Sequence, residues 1–459
     1  MSGRYKAYPE YKDSGVELLG DIPSHWTVDK FRYLFSLGRG LGITKANLQD
    51  SGIPCVNYGE IHSKYGFEVS PDTHPLRCVS ELYLESSPNS LLSNGDCVFA
   101  DTSEDIEGAG NFTQLTSDQA LFAGYHTVIA RPKGENDARF LAYVFDSPAY
   151  RTQIRLAVKG VKVFSITQEI LKNTDLWLAP LPEQKQIARF LDDETGKIDA
   201  LIEKQQALIA LLQEKRQAVI SHAVTKGLNP EAPMKDSGVE WLGDVPEHWE
   251  VASLKFYAQV IDCKHITAEF IDAGYPLASI GEVKGWHINL EGAKLTSQKF
   301  YSALIEGDRE PRSGDIIYSR NATVGEAALV PDEHPEFAMG QDVCLIRLGD
   351  ALYPEFALHV LKSGLISQQL DVSMIGSTFK RINVDDIRCF TFTLPPLDEQ
   401  RDLVAELNEI TVRYDSLIDN ALQASDLLQE RRTALISAAV TGNIDVRDFA
   451  PEALEKGEE

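Results

Sequence analysis

The stretch KDSGVEWLGDVPEHW, Lys235 to Trp249, restates KDSGVELLGDIPSHW, Lys12 to Trp26, at an offset of 223 residues. Only Leu18/Trp241, Ile22/Val245 and Ser24/Glu247 differ. A phrase repeated at so long a period marks a chain built from two like units, and shorter echoes agree. YGEI at Tyr58–Ile61 parallels IGEV at Ile280–Val283, and GDCVF at Gly95–Phe99 parallels GDIIY at Gly314–Tyr318. GYHTVIAR from Gly124 parallels GQDVCLIR from Gly340, and PLPEQ at Pro180–Gln184 parallels PLDEQ at Pro396–Gln400. The offset drifts from 223 to 216 through the interior and then holds to Thr225 and Thr441, so each half has fixed ends and a variable middle.

The second shared block is helical. Ile187, Leu191, Ile198, Leu201, Leu208, Leu212 and Val219 alternate spacings of three and four. Leu403, Leu407, Ile410, Tyr414, Leu417, Leu428 and Leu435 do the same, with Lys215 and Arg431 at equivalent seam positions. Such heptads predict two long helices that bury a seam. Pro182 and Pro396 mark their starts, and Gly227 and Gly442 their ends. Simple core packing explains any one such stripe, but helices this long need a partner, and here the two seams are expected to pack on each other. The heptads do not fix their direction; the internal symmetry favours antiparallel.

The middles hold short apolar runs such as CVFA and VCLIRL between turn residues, which predicts strands and loops with a few helices, among them Ala138 to Ala157 and Pro354 to Leu370. The fold class is α+β. A first mixed domain covers 1–179, including the phrase at 12–26, and a helix covers 180–226. A linker at 227–234, containing GLNPEAP, leads to the second mixed domain at 235–395 with its phrase at 235–249. A second helix at 396–441 and an acidic tail at 442–459, expected to end in disorder, complete the chain. The phrase, rich in turn formers and ending in a large apolar ring, is expected to dock each domain onto its helix.

Composition narrows the class. The 459 residues suffice for two or three sizeable cores, and no run of 18 apolar residues or apolar leader predicts a membrane or secretory segment. Six scattered cysteines without a CxxC suggest neither zinc nor disulfides and fit a reducing cytoplasm. A net charge of −25 argues, taken whole, against nucleic acid, but local patches decide. Arg151, Arg155, Lys159 and Lys162 cluster with no acid from Ser147 to Gln168. GVKVFSI at Gly160–Ile166 matches GSTFKRI at Gly376–Ile382, where Lys380 and Arg381 carry the charge, and Ser319, Arg320 and Asn321 follow GDIIY. Arginine and asparagine are side chains that read guanine and adenine edges, so these nine residues are the candidate DNA-binding set, against the alternative of a solvated surface.

No catalytic or metal site is expected. GRGLG at Gly38–Gly42 lacks the phosphate-loop lysine. Glu282-Val-Lys284 with Asp272 resembles part of a metal-dependent nuclease, but the first half has Glu60-Ile-His62 there, which assigns the glutamate to the shared scaffold. No cysteine, serine or acid constellation recurs with His25 and His248 in a way that suggests chemistry.

The paired phrases, the PLPEQ and PLDEQ helix starts, the helix ends LQEKRQAVISHAV and LQERRTALISAAV, and GNIDVR at Gly442–Arg447 together resemble the specificity subunit of type I restriction-modification systems over nearly the whole chain. The resemblance implies two target-recognition domains that each read half of a bipartite double-stranded DNA site, held apart by an antiparallel coiled coil. It implies two methyltransferase subunits, carrying S-adenosylmethionine for adenine N6, and up to two restriction subunits using ATP and Mg, with no cofactor or catalysis in this chain. A stand-alone scaffold and a nuclease are the competing classes.

Overall fold

The computed structural model describes residues 5–158, 163–373 and 381–450, so the end of the acidic tail lies outside the described residues. The chain forms two compact units, Met1–Gln205 with Gln423–Glu459, and Gln206–Leu422. Both divisions fall inside the long helices, Leu181–Lys226 and Leu397–Val440. Each unit therefore holds one mixed domain, the first part of one helix and the last part of the other.

The repeated phrase folds the same way twice. Tyr11–Asp13 pairs antiparallel with Asp21–Pro23, and Met234–Asp236 with Asp244–Pro246. Asp13 and Asp236 each accept the backbone N–H of the glycine two residues on, at 2.9 Å, a side-chain turn that Asp-Ser-Gly favours. The phrase then delivers its His-Trp pair to the start of a long helix. Trp26 Nε1–H donates to Glu183 Oε1 at 2.9 Å, while His25 Nε2 lies 2.8 Å from Oε2. Trp249 and His248 grip Glu399 in the same way, at 3.1 and 2.7 Å. Both indoles are fully buried, whereas the variable positions Leu18 and Trp241 are exposed. The other end of each helix closes on the ring of the opposite phrase, Gly227 beside Trp249 and Gly442 beside Trp26. Gly227 and Gly442 take left-handed φ of 72° and 74°, and a Cβ on Gly442 would lie 2.3 Å from Pro23 Cδ. A side chain is thus excluded where the chain leaves the helix beside Trp26.

Within each unit the helix segments run antiparallel. In the first, Arg432 pairs with Asp199 at 2.9 Å, and Gln186 reaches the Phe449 carbonyl. In the second, Arg216 pairs with Asp415 at 3.0 Å, and the Thr393 hydroxyl donates to the Val224 carbonyl. Ile187, Leu191, Ile198, Leu403, Leu407 and Leu435 are buried as expected, but Leu201, Leu208 and Leu417 are 45%, 43% and 44% exposed. Lys215 and Arg431 also face outward, and the neighbouring Arg216 and Arg432 turn toward the partner segment. A strict heptad drifts by about 20° per repeat on a straight helix, so a seam started correctly at one end is displaced by the middle.

Each domain is closed by its own ends. Thr27–Lys30 pairs with Asp175–Leu178, and Glu250–Ser253 with Thr391–Leu394, so the chain enters and leaves side by side. Between them the first domain has a five-stranded sheet in the order Phe35–Arg39, Thr127–Pro132, Cys97–Ala100, Phe112–Leu115, Phe67–Val69. The second keeps the first four as Ala258–Asp262, Val343–Leu348, Ile316–Ser319 and Ala327–Leu329. A smaller sheet packs beside each, Ile53–Val56 between Phe122–Ala123 and Cys78–Val79, and Tyr275–Ala278 between Leu295–Thr296 and Ala338–Met339. The expected helix Ala138 to Ala157 breaks into Ala138–Asp146 and Pro148–Ala157, because Ser147 caps the second piece and Pro148 cannot continue the first. Its counterpart breaks at the same place, into Pro354–Leu361 and Gly364–Ser373.

Trp26→Ala and Trp249→Ala each remove a buried ring and one partner of a carboxylate. Each is expected to cost about 3–5 kcal/mol, read as a lower denaturation midpoint. Trp241→Ala, at an exposed position of the same phrase, should stay within about 0.5 kcal/mol. Equal losses at 241 and 249 would contradict this assignment.

Candidate nucleic-acid interface

The loop that follows the GDCVF and GDIIY strands rests on the same backbone frame in both domains. Asp101 N–H donates to the His126 carbonyl at 3.0 Å, and Arg320 N–H to the Asp342 carbonyl at 2.8 Å. Asp101 and Arg320 in turn accept from Ile166 and Ile382, at 2.8 and 3.0 Å. His126 and Asp342 hold positive φ, 57° and 70°, although neither is glycine. Such a conformation costs free energy and persists only where its surroundings enforce it. The enforcement is visible: a Cβ on the preceding Gly124 would lie 1.9 Å from Asn57 Oδ1, and one on Gly340 2.3 Å from Ser279 Oγ. Asn57 and Ser279 start equivalent turns whose N–H groups are capped by Glu60 and Glu282, at 3.0 and 2.8 Å. Ion pairs with buried aspartates brace both frames, Arg131 with Asp96 at 3.2 Å and Arg347 with Asp315 at 2.8 Å. Burial nevertheless raises the Asp96 carboxyl pKa.

The frame explains Glu282. Its carboxylate caps the backbone, as Glu60 does in a domain with no lysine two residues on, and the nuclease resemblance loses its acid. Among the described residues the one acid-Cys-His group close enough to share an ion is Asp262, Cys263 and His265. Asp262 already faces Arg320, whose positive charge disfavours a cation there.

The nine candidate residues separate into distinct settings. Ser319 is fully buried, its hydroxyl 3.2 Å from the Asn321 carbonyl and from Thr323 Oγ1. Arg320 is 3% exposed with Nη2 2.9 Å from Asp262 Oδ1, so its guanidinium is committed to the interior. Arg151 bridges Asn111 at 2.7 Å and Asp146 at 3.0 Å, and Arg155 holds Glu107 at 2.9 Å. These two arginines tie the helix Pro148–Ala157 to the loop from Ser103 to Asn111. Asn321 and exposed Arg381, 60 residues apart in sequence, meet as an antiparallel bridge. The first domain has the same pairing between Thr102 and Ser165. Lys159, Lys162 and Lys380 lie outside the described residues.

Sequence reasoning missed a cleft of about 740 Å³ in the first domain, lined by Tyr58, His62, Thr102, Asn111 and His126 among others. The Tyr58 ring stands edge-on to His62, Tyr125 and His126, with centroids 5.3 to 6.2 Å apart. His62 is anchored at both nitrogens, to the Thr102 carbonyl at 2.8 Å and Asn111 Nδ2 at 2.9 Å. His126 is exposed and pairs with Asp101 at 3.2 Å. The signal was in the repeat: GYHTVIAR against GQDVCLIR sets His126 opposite Asp342.

Asp262→Ala leaves a buried guanidinium without its counter-charge and should cost about 3 kcal/mol, the low end for such a pair because Asp262 is partly exposed. Chemical denaturation checks it; a loss under about 0.5 kcal/mol would show that Arg320 turns outward at little cost.

The model of the type I restriction modification DNA specificity domain matches residues 23–211 and 246–416. The specificity subunit of the putative type I restriction enzyme MjaX from Methanocaldococcus jannaschii is 22% identical over 435 residues, covering 94% of this chain and 96% of its own. The EcoKI specificity subunit of Escherichia coli is 22% identical over 421 residues, 88% and 86% of the two chains. A chain from a solved structure concerned with complex assembly and conformational transition of the type I R-M system superposes with a TM-score of 0.67 at 17% identity, over 92% of this chain and 99% of that one.

Proposed function

The chain belongs to the type I restriction modification DNA specificity family and is a target-recognition subunit, and from that premise we propose that its two domains each read one half of an asymmetric bipartite DNA site. The observation that carries the proposal is one backbone frame built twice with different side chains: like frames present equivalent surfaces, and unlike side chains ask for different sequences. The antiparallel helices then serve as the ruler that sets the spacer between the half-sites.

In this reading the chain performs no chemistry of its own. Two methyltransferase subunits supply S-adenosylmethionine and modify adenine N6, and up to two restriction subunits supply the ATP- and Mg-dependent cleavage, all in the cytoplasm. Exposed leucines on the helices support a partner-binding role: Leu201 and Leu427 in the first unit, and Leu208, Leu211, Leu417 and Leu422 in the second. Among the described residues no helix is long and apolar enough to cross a membrane. The net charge of −25 fits an assembly in which partner subunits supply much of the phosphate contact. On the DNA side, Arg151, Arg155, Lys159 and Lys162 serve one half-site, and Ser319, Arg320, Asn321, Lys380 and Arg381 the other. Arg151, Arg155, Ser319 and Arg320 act by holding their loops, and the rest by contact.

The direct test is sequencing of methylated adenines in a host carrying this chain and its methyltransferase. A single asymmetric motif with a fixed spacer is expected; scattered or absent methylation would favour a stand-alone scaffold. Inserting one heptad into both helices lengthens each by about 10 Å, so the spacer should grow by about three base pairs. An active variant with an unchanged spacer would contradict the ruler. The purified chain should not cut DNA with Mg; metal-dependent cleavage lost in Glu282→Ala would revive the nuclease.

A further inference from the structure

We propose that base discrimination in each domain is carried by side chains at three equivalent positions of the shared frame: Thr102, His126 and Ser165 in the first, and Asn321, Asp342 and Arg381 in the second. The inference rests on the function proposed above and names the residues that execute it.

Equivalence is set by backbone geometry rather than by sequence identity. Thr102 and Asn321 each follow the residue that donates to the positive-φ corner, and His126 and Asp342 are that corner. Ser165 and Arg381 are the residues paired across from Thr102 and Asn321. All six are at least partly accessible, and no pair is alike. Around them the capping carboxylates Glu60 and Glu282, the glycines Gly124 and Gly340, and the ion pairs of Asp96 with Arg131 and Asp315 with Arg347 are alike. A domain that must be rigid in one place and different in another puts constancy in its hydrogen-bonded frame and variation at the solvent side of it. Backbone held in a costly conformation beside those positions fixes where the side chains start, which is the requirement for reading base edges by hydrogen bonds.

The chemistry of the two sets differs in kind. In the second domain, Arg381 offers the fork that matches guanine O6 and N7, and Asp342 an acceptor for cytosine N4. Asn321 Oδ1 already accepts the Ala322 N–H at 2.9 Å, which leaves its amide N–H groups to donate to a purine N7. In the first domain, two hydroxyls and an imidazole take the same places, and hydroxyls pair with several base edges. The second half-site is therefore read more strictly than the first.

The experiment uses the full chain assembled with its methyltransferase and DNA libraries randomised one half-site at a time. Arg381→Ala, Arg381→Lys, Asn321→Ala and Asp342→Ala should each relax one position of a single half-site by about 5- to 150-fold and leave the other half-site unchanged. His126→Ala should relax a position of the opposite half-site by less. Arg401→Ala, an exposed helix residue paired with Asp398, should change neither. Weaker binding with unchanged preference at every position would reassign these residues to phosphate contact and overturn the inference. Relaxation of both half-sites by one substitution would overturn it too. Thermal melting of each variant separates loss of fold from loss of reading, and Arg381→Lys keeps the charge while removing the fork, so it decides the case if Arg381→Ala fails to fold. A wild-type complex with no bipartite preference would instead refute the broader function.

Discussion

One carboxylate at the first turn of each long helix organises the half that carries it. Glu183 is nearly buried and receives Trp26, His25 and the Tyr8 hydroxyl, the last at 2.7 Å. Glu399 receives Trp249 and His248. Hydrogen bonds to a charged acceptor out of water are stronger than neutral ones, and a negative charge at a helix N-terminus also suits the helix dipole. The next residue finishes the joint. Gln184 accepts the Asp137 N–H and donates to the Ala179 carbonyl, while Gln400 accepts the Tyr353 N–H and donates to the Ala351 and Pro395 carbonyls. The Glu-Gln dipeptide thus ties the phrase before the domain, the helix within it and the strand after it to one point. The domain's interior can change without moving its attachment.

This explains how one frame can host unlike surfaces. Both domains keep the same strand order through four strands, the same positive-φ corner and the same ladder across the loop that follows. They differ in loop length, where the first domain carries an acidic segment with Glu104, Asp105 and Glu107, and in the side chains at the rim. Even half-buried charge is permuted: Asp146 of the first domain, which pairs with Arg151 and Arg432, is matched in the second by Lys362, which faces Glu326 at 3.5 Å.

Much of this was legible in the sequence, because the repeat is a physical statement: near-identical phrases at fixed places need like partners, and the Glu of PLPEQ and PLDEQ recurs with them. The docking role of the phrase, the two helices with their ends, and the scaffold role of Glu60 and Glu282 all followed. The seam did not follow through the middle of the helices, since Leu201, Leu208 and Leu417 satisfy a heptad but face solvent once the helix drifts. The fate of the arginines was hidden for a different reason. Whether Arg320 lies in the core or at the surface depends on Asp262, 58 residues upstream and on another strand, and no local pattern records that contact. Arg151 looked like part of a basic patch because its acceptors, Asn111 and Asp146, both lie upstream of the acid-free window.

The central claim is that the two halves hold equivalent heads on equivalent joints, each reading on its own. The most direct measurement replaces residues 27–179 with residues 250–395 and maps methylated adenines in cells carrying this chimera and the methyltransferase. With like heads on antiparallel helices, the site should become an inverted repeat of the second half-site with the original spacer. A direct repeat, or persistence of the original asymmetric site in an active chimera, would contradict the account.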